Sequence, residues 1–287
     1  MNFRKFAALM IISTLSAASA AASKCPAETQ TLQGAPMRQI QQTQQIQQIQ
    51  QTQQKSGCRI SPVCPPRPLP ELMHRCTSQC PAERDSEKLH IVCILDRSGS
   101  MQRLTSDTIG GYNGFIAGQR AEAPKAVVTT VLFDNRYEML YENVPVKEVR
   151  ALTEREYYAR GTTALLDAMG STILRLDGSF KETGTCPRSQ GVIFMIMTDG
   201  LENASREFSR ADVKKLVSDA QEKYGWQFIF MGANMDSVAE AGSLAIPADS
   251  AMDYQADSTG LKDAFERAGA ALKSYRSQGS VGTDWKK

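Results

Sequence analysis

The sequence predicts an α/β fold of the doubly wound, Rossmann-like kind. The sheet is mostly parallel with one antiparallel edge strand, and helices cover both faces. Three observations carry this expectation. Apolar runs at residues 89–95, 191–198 and 226–233 lack period-two alternation, the pattern of parallel strands buried on both sides. Segments with apolar residues three and four apart lie between them, as helices require. A further β-rich stretch, residues 126–141, divides around Asp134-Asn135 and reads as a hairpin, which supplies the antiparallel strand.

The chain has 287 residues, enough for one large domain with extensions. Residues 1–20 read as a signal peptide. "MNFRK" is a short positive start, "FAALMIISTLSA" is apolar but too short for a stable membrane span, and "ASA" at 18–20 fits small-x-small cleavage. The plainer alternative is a buried N-terminal helix. A lipid anchor at Cys25 is disfavoured by Lys24 before it. The expected location is periplasmic or secreted, with no stable membrane span after cleavage. The formal charge of +2 falls to zero once Arg4 and Lys5 leave with that segment. No basic excess exists to neutralise phosphates, so nucleic-acid binding is not expected.

Residues 21–85 read as a Gln-rich and Cys/Pro-rich low-complexity linker. "QQTQQIQQIQQTQQ" at 41–54 repeats every three residues, which fits neither a helical stripe nor strand alternation. A flexible polar linker is the plain reading, and self-association through the glutamines is the sharper one. Of the seven cysteines, Cys93 lies inside the first apolar run and reads as a buried free thiol. Cys25, Cys58, Cys64, Cys76, Cys80 and Cys186 form an even set that an oxidising compartment would pair as disulfides, with pairing undetermined. Zinc is the alternative. The Cys76/Cys80 spacing suits half a site, but Cys58 and Cys64 are too far apart for the usual second half.

The main domain is expected over residues 86–278, with 279–287 as a flexible tail. Its helices are marked by Ile109, Tyr112 and Ile116, then by Leu166, Met169, Ile173 and Leu176. Val213, Leu216, Ala220 and Tyr224 follow Ser209, which with Asp212 three residues on can form a capping box. Leu261, Phe265, Ala268, Leu272 and Tyr275 mark the last helix. Trp226 reads as a core or edge aromatic at a strand start.

In such sheets ligands bind outside the carboxyl ends of the strands, where strand order reverses. Three polar clusters fall there: Asp96-x-Ser98-x-Ser100, "RGTTALLDA" at 160–168, and "TDGLENAS" at 198–205. Together they supply two carboxylates, two serine hydroxyls and a threonine hydroxyl. All-oxygen, low-charge sets suit a hard divalent ion such as Mg²⁺. Glu202 and Asn203 read as a solvated helix or loop edge. Taken alone, Asp-x-Ser-x-Ser is a common turn composition.

These clusters, in this order, resemble the von Willebrand factor A domain and its metal-ion-dependent adhesion site. The likeness extends over roughly residues 89–276. "DTIGGYNGF", "RGTTALLDAMG", "TDGLENASRE" and "GWQFIFMGAN" are similar to a bacterial branch of the family. The resemblance implies that Ser98, Ser100 and Thr163 coordinate Mg²⁺ or Mn²⁺ directly, with Thr162 the neighbouring possibility for the threonine. Asp96 and Asp199 would act mainly through bound waters, and a partner protein's carboxylate would complete the coordination.

A metal-dependent binding module is thus expected. An assembly scaffold of the cell envelope is the alternative, and a metal-dependent hydrolase is the less favoured one. No catalytic residue is assigned and no enzyme is expected. The two histidines, His74 and His90, are poorly placed. His90 precedes Asp96 by six residues of strand, on the order of 20 Å, too far for a general base. No phosphate-binding loop, HExxH or G-x-S-x-G motif is present.

Overall fold

The computed structural model describes residues 85–286 together with Leu72. The expected signal peptide, the glutamine tract and Cys25, Cys58, Cys64, Cys76 and Cys80 lie outside the described residues. Leu72, within the expected linker, is buried in the core.

The elements alternate as expected. Strand β1 (Asp85–Asp96) leads through a 3₁₀ turn (Gly99–Leu104) into α1 (Thr105–Glu122). The hairpin follows as β2 (Val127–Phe133) and β3 (Tyr137–Pro145), then α2 (Leu165–Thr183), β4 (Gln190–Thr198), α3 (Arg210–Tyr224) and β5 (Gln227–Gly232). A short α4 (Ser237–Ser243), β6 (Ala251–Asp253) and α5 (Ser258–Gln278) complete the domain. The six strands run in the order β3-β2-β1-β4-β5-β6. Only β2 and β3 pair antiparallel; every other pair is parallel.

Burial on both faces explains why the central strands read as continuous apolar runs. Along β1, Ile91, Cys93 and Leu95 enter one core with Tyr112 of α1 and Leu261, Phe265 and Leu272 of α5. Val92 and Ile94 enter the other, with Met169 and Ile173 of α2 and Val213 and Leu216 of α3. Burying one such side chain is worth about 1.5–3 kcal/mol, so β1 and β4 form a rigid base for the loops at their ends. Cys93 is a buried free thiol, and burial pushes its ionisation far up. Cys186 is disulfide-bonded.

The Ser209–Asp212 capping box forms in both directions, and Gly225 ends α3 in the left-handed conformation. Trp226 is fully buried against Phe180, Phe194 and Tyr224, with ring centroids 6.0, 5.6 and 5.3 Å away. The segment expected as a flexible tail over 279–287 contains a packed aromatic among its described residues. Trp285 is 3% exposed in the α1/α5 core, and its indole N–H donates to Asp249 O at 3.1 Å. An amphipathic aromatic with a partner for its N–H outweighs the polar composition around it. Among the described residues, no helix is long and apolar enough to cross a membrane.

Candidate metal centre

Sheet order reverses between β1 and β4. From β1 the chain goes out to β2 and β3 on one side, then returns to β4 on the other. Leu95 pairs with Met197, so Asp96 and Thr198 finish neighbouring strands side by side. The crevice at these carboxyl ends is where the sequence places its three polar clusters.

The first loop is held by its own carboxylate. Asp96 is 1% exposed; Oδ1 accepts from Ser98 N at 2.7 Å and Oδ2 from the Thr198 hydroxyl at 2.6 Å. Both carboxylate oxygens are therefore engaged in positioning β1's loop against β4's. Tyr157 OH donates to Asp96 O. Ser98 Oγ lies 2.9 Å from Ser100 Oγ, and Ser100 Oγ donates to Asp199 Oδ1 at 2.5 Å. The serines and Asp199 thus form one continuous polar chain across the crevice.

The second loop treats its two threonines differently. Thr163 is buried and Thr162 exposed. A methyl placed on Gly200 would lie 3.6 Å from Thr163 Oγ1 and 3.8 Å from Ser100 Oγ, so both hydroxyls converge beside the Asp199-Gly200 turn. Gly161 makes this approach possible. Its φ is +67°, its carbonyl accepts from Gly99 N at 3.1 Å, and a Cβ there would meet Asn135 Oδ1 at 2.2 Å.

Of the two residues read as a solvated helix or loop edge, Asn203 bonds to Thr163 and Glu202 to the first turn of α2. Asn203 Oδ1 accepts from Thr163 N at 3.0 Å, while Asn203 N and Ala204 N donate to Thr163 O at 3.0 and 3.2 Å. Glu202 accepts from Leu166 N in the first turn of α2 at 2.9 Å and also from Ala204 N and Ser205 N. A carboxylate there satisfies helix-terminal N–H groups that have no partner within the helix. Glu and Asn after Thr-Asp-Gly are ordinary loop residues, so their spacing alone carries no signal of this role.

Arg97 was also missed. It is fully buried between Asp96 and Ser98, with Nε 3.1 Å from Asp134 Oδ2, an NH2 group 2.5 Å from Glu138 and NH1 donating to Glu156 O at 3.1 Å. Arg160 reaches the same Asp134 oxygen at 2.7 Å, and both guanidiniums lie over the Tyr158 ring. The loop after β1 is thereby tied to the hairpin and to the segment before Thr163.

Burial pushes the Asp96 carboxyl up to about 6, opposed by the hydrogen bonds from Thr198 and Ser98. Burial also raises Asp199, opposed by the Ser100 hydrogen bond and by the charge of Arg103. Two sheltered carboxylates facing three hydroxyls form a set that a divalent cation would relieve. No group of three or more His, Cys, Asp or Glu is assembled for a metal among the described residues, so a centre here depends on hydroxyl oxygens. The donor set fits Mg²⁺ or Mn²⁺ in being entirely oxygen. His90 belongs to a different region: its ring packs 5.3 Å from Phe180, and Nδ1 is sheltered without a partner among the described residues.

Fold and crevice together define a doubly wound α/β domain with an oxygen-lined cleft at its switch point. Solved structures similar to it include a von Willebrand factor type A protein from Catenulispora acidiphila, at 16% identity and a TM-score of 0.45, covering 64% of this chain and 42% of that one. The ArnB paralog VWA2 from Sulfolobus acidocaldarius is 21% identical with a TM-score of 0.41, covering 64% of this chain and 46% of that one. Proximal thread matrix protein 1 from the mussel byssus is 14% identical with a TM-score of 0.47, covering 68% of this chain and 49% of that one. This chain thus spans less than half the length of each. No family model and no curated protein matches the sequence.

Proposed function

We propose that this chain is an exported, metal-dependent binding module of the von Willebrand factor A type. Ser98, Ser100 and Thr163 hold Mg²⁺ or Mn²⁺ directly, and Asp96 and Asp199 support it through water. The observation that carries this reading is the convergence of three hydroxyls and two buried carboxylates at the switch point. Both Asp96 oxygens already accept protein hydrogen bonds, which suits a supporting role better than direct ligation. An ion so held meets mostly neutral oxygens and supplies a Lewis-acidic position for an incoming carboxylate, which a partner protein contributes.

Export is supported by the charged start, apolar stretch and small-residue site of residues 1–20. A binding role is favoured over hydrolysis because none of the described residues around the crevice is a histidine or cysteine that could act as base or nucleophile. The test is capture of partners from envelope extract by the full chain, with Mg²⁺ and with chelator, using Asp96→Ala as control. A partner retained only by the wild type with Mg²⁺ is expected. A partner that survives chelation, or that Asp96→Ala retains equally, contradicts the reading.

A further inference from the structure

A cavity of about 350 Å³ opens beside the crevice, and its lining joins Ser100 and Asp199 to Gln102, Arg103 and Asn234. Arg103 sits at the end of the 3₁₀ turn that carries Ser100. It is exposed, and its side chain makes no hydrogen bond or ion pair among the described residues. Two neighbouring arginines are committed, Arg97 to Asp134 and Glu138, and Arg160 to Asp134. Within this cavity's lining Arg103 is the cationic side chain, and it is available to a ligand.

Charge balance gives that availability a meaning. Asp96 and Asp199 offset a divalent ion, so one incoming carboxylate leaves the centre with an excess negative charge. A second acidic group close by would be repelled unless a cation receives it. A guanidinium fork suits a carboxylate in geometry as well as charge. The surroundings point to a protein ligand. The three exposed large hydrophobic side chains among the described residues are Tyr158, Leu201 and Val238. Tyr158 lies under Arg97 and Arg160, Leu201 follows Asp199 by two residues, and Val238 lies in the first turn of α4 after β5. All three stand on segments at the carboxyl-end side of the sheet, where apolar contacts would flank a polar centre.

We propose that Arg103 is a second anion contact of this docking face, so that the partner presents two neighbouring acidic groups, one toward the ion and one into the Arg103 cavity. The proposal rests on the metal-dependent reading above. The probe is a set of short synthetic peptides with two glutamates separated by one to three glycines, each compared with a version in which one glutamate is replaced by glutamine. Binding to the full chain is read by fluorescence anisotropy with Mg²⁺ and with chelator. The wild type should prefer a two-glutamate peptide by about fivefold, the upper range for an exposed ion pair. Arg103→Gln should bind both versions equally, at the wild type's one-glutamate level, while the Mg²⁺-induced rise in its melting temperature persists.

Undiminished preference in Arg103→Gln overturns the proposal, as does a wild type without preference or without binding to any peptide in Mg²⁺. If chelator leaves both the preference and its dependence on Arg103 intact, the anion contact stands and the metal reading fails. If the Mg²⁺-induced rise is present but the preference is absent, the Arg103 assignment alone fails.

Discussion

Arg97 and Asp134 form an ion pair in which neither side chain is exposed, with Nε 3.1 Å from Oδ2. One partner interrupts the Asp-x-Ser-x-Ser loop and the other opens the β2–β3 turn. The pair holds the candidate metal loop against the edge hairpin.

Removing Arg97 leaves Asp134 buried with Arg160 as its remaining cation. Breaking a buried pair costs about 3–5 kcal/mol, because the stranded charge keeps its desolvation penalty. Arg97→Ala should lose that much in urea unfolding, and the Arg97→Ala/Asp134→Ala double variant less than the sum of the single losses. A loss for Arg97→Ala under about 1 kcal/mol would show that Arg160 suffices.

His90 should give the domain a pH-dependent stability. Burial lowers its pKa from 6.5 to about 4. The unfolded chain therefore binds a proton that the folded chain refuses between those values. The stability is fully present above pH 6.5 and is lost as pH falls toward about 4, by roughly 3 kcal/mol in total. His90→Gln should lack this component. Parallel stability–pH curves for the two proteins would refute the assignment.

Two glycines of α1 should respond in opposite ways to alanine. A Cβ on Gly111 would lie 2.2 Å from the Phe265 ring, whereas one on Gly114 meets nothing within 4 Å. Gly111→Ala should destabilise by about 1–3 kcal/mol through overpacking. Gly114→Ala should stabilise by about 1 kcal/mol through helix propensity and reduced freedom in the unfolded chain. Calorimetric melting distinguishes the two. A stabilised Gly111→Ala would mean that α1 and α5 can separate without cost.

The doubly wound sheet was legible because β1, β4 and β5 are buried on both faces and carry little polar interruption. Ser209 and Asp212 announced α3 through a local hydrogen-bond pattern. Helix α4 and strand β6 gave no such signal, being seven and three residues long and built by packing more than by pattern. The packed Trp285 was hidden for the same reason, since its partners lie in α5 and at Asp249. Within the crevice, Asp96, Ser98, Ser100, Thr163 and Asp199 were legible as residue types at strand ends and helix starts. The roles of Arg97, Glu202 and Asn203 depend on partners at sequence separations of 36 to 59 residues, which no local pattern records.

The choice between Thr162 and Thr163 bears directly on the central claim, because the structure buries only the second. The deciding measurement is the melting temperature with and without Mg²⁺ for the wild type, Thr162→Val and Thr163→Val. Mg²⁺ at a hundredfold excess over its dissociation constant should add about 2.7 kcal/mol to the wild type's stability. Thr162→Val should gain as much and Thr163→Val far less. An equal Mg²⁺ effect in Thr163→Val and the wild type would contradict a metal centre at this crevice.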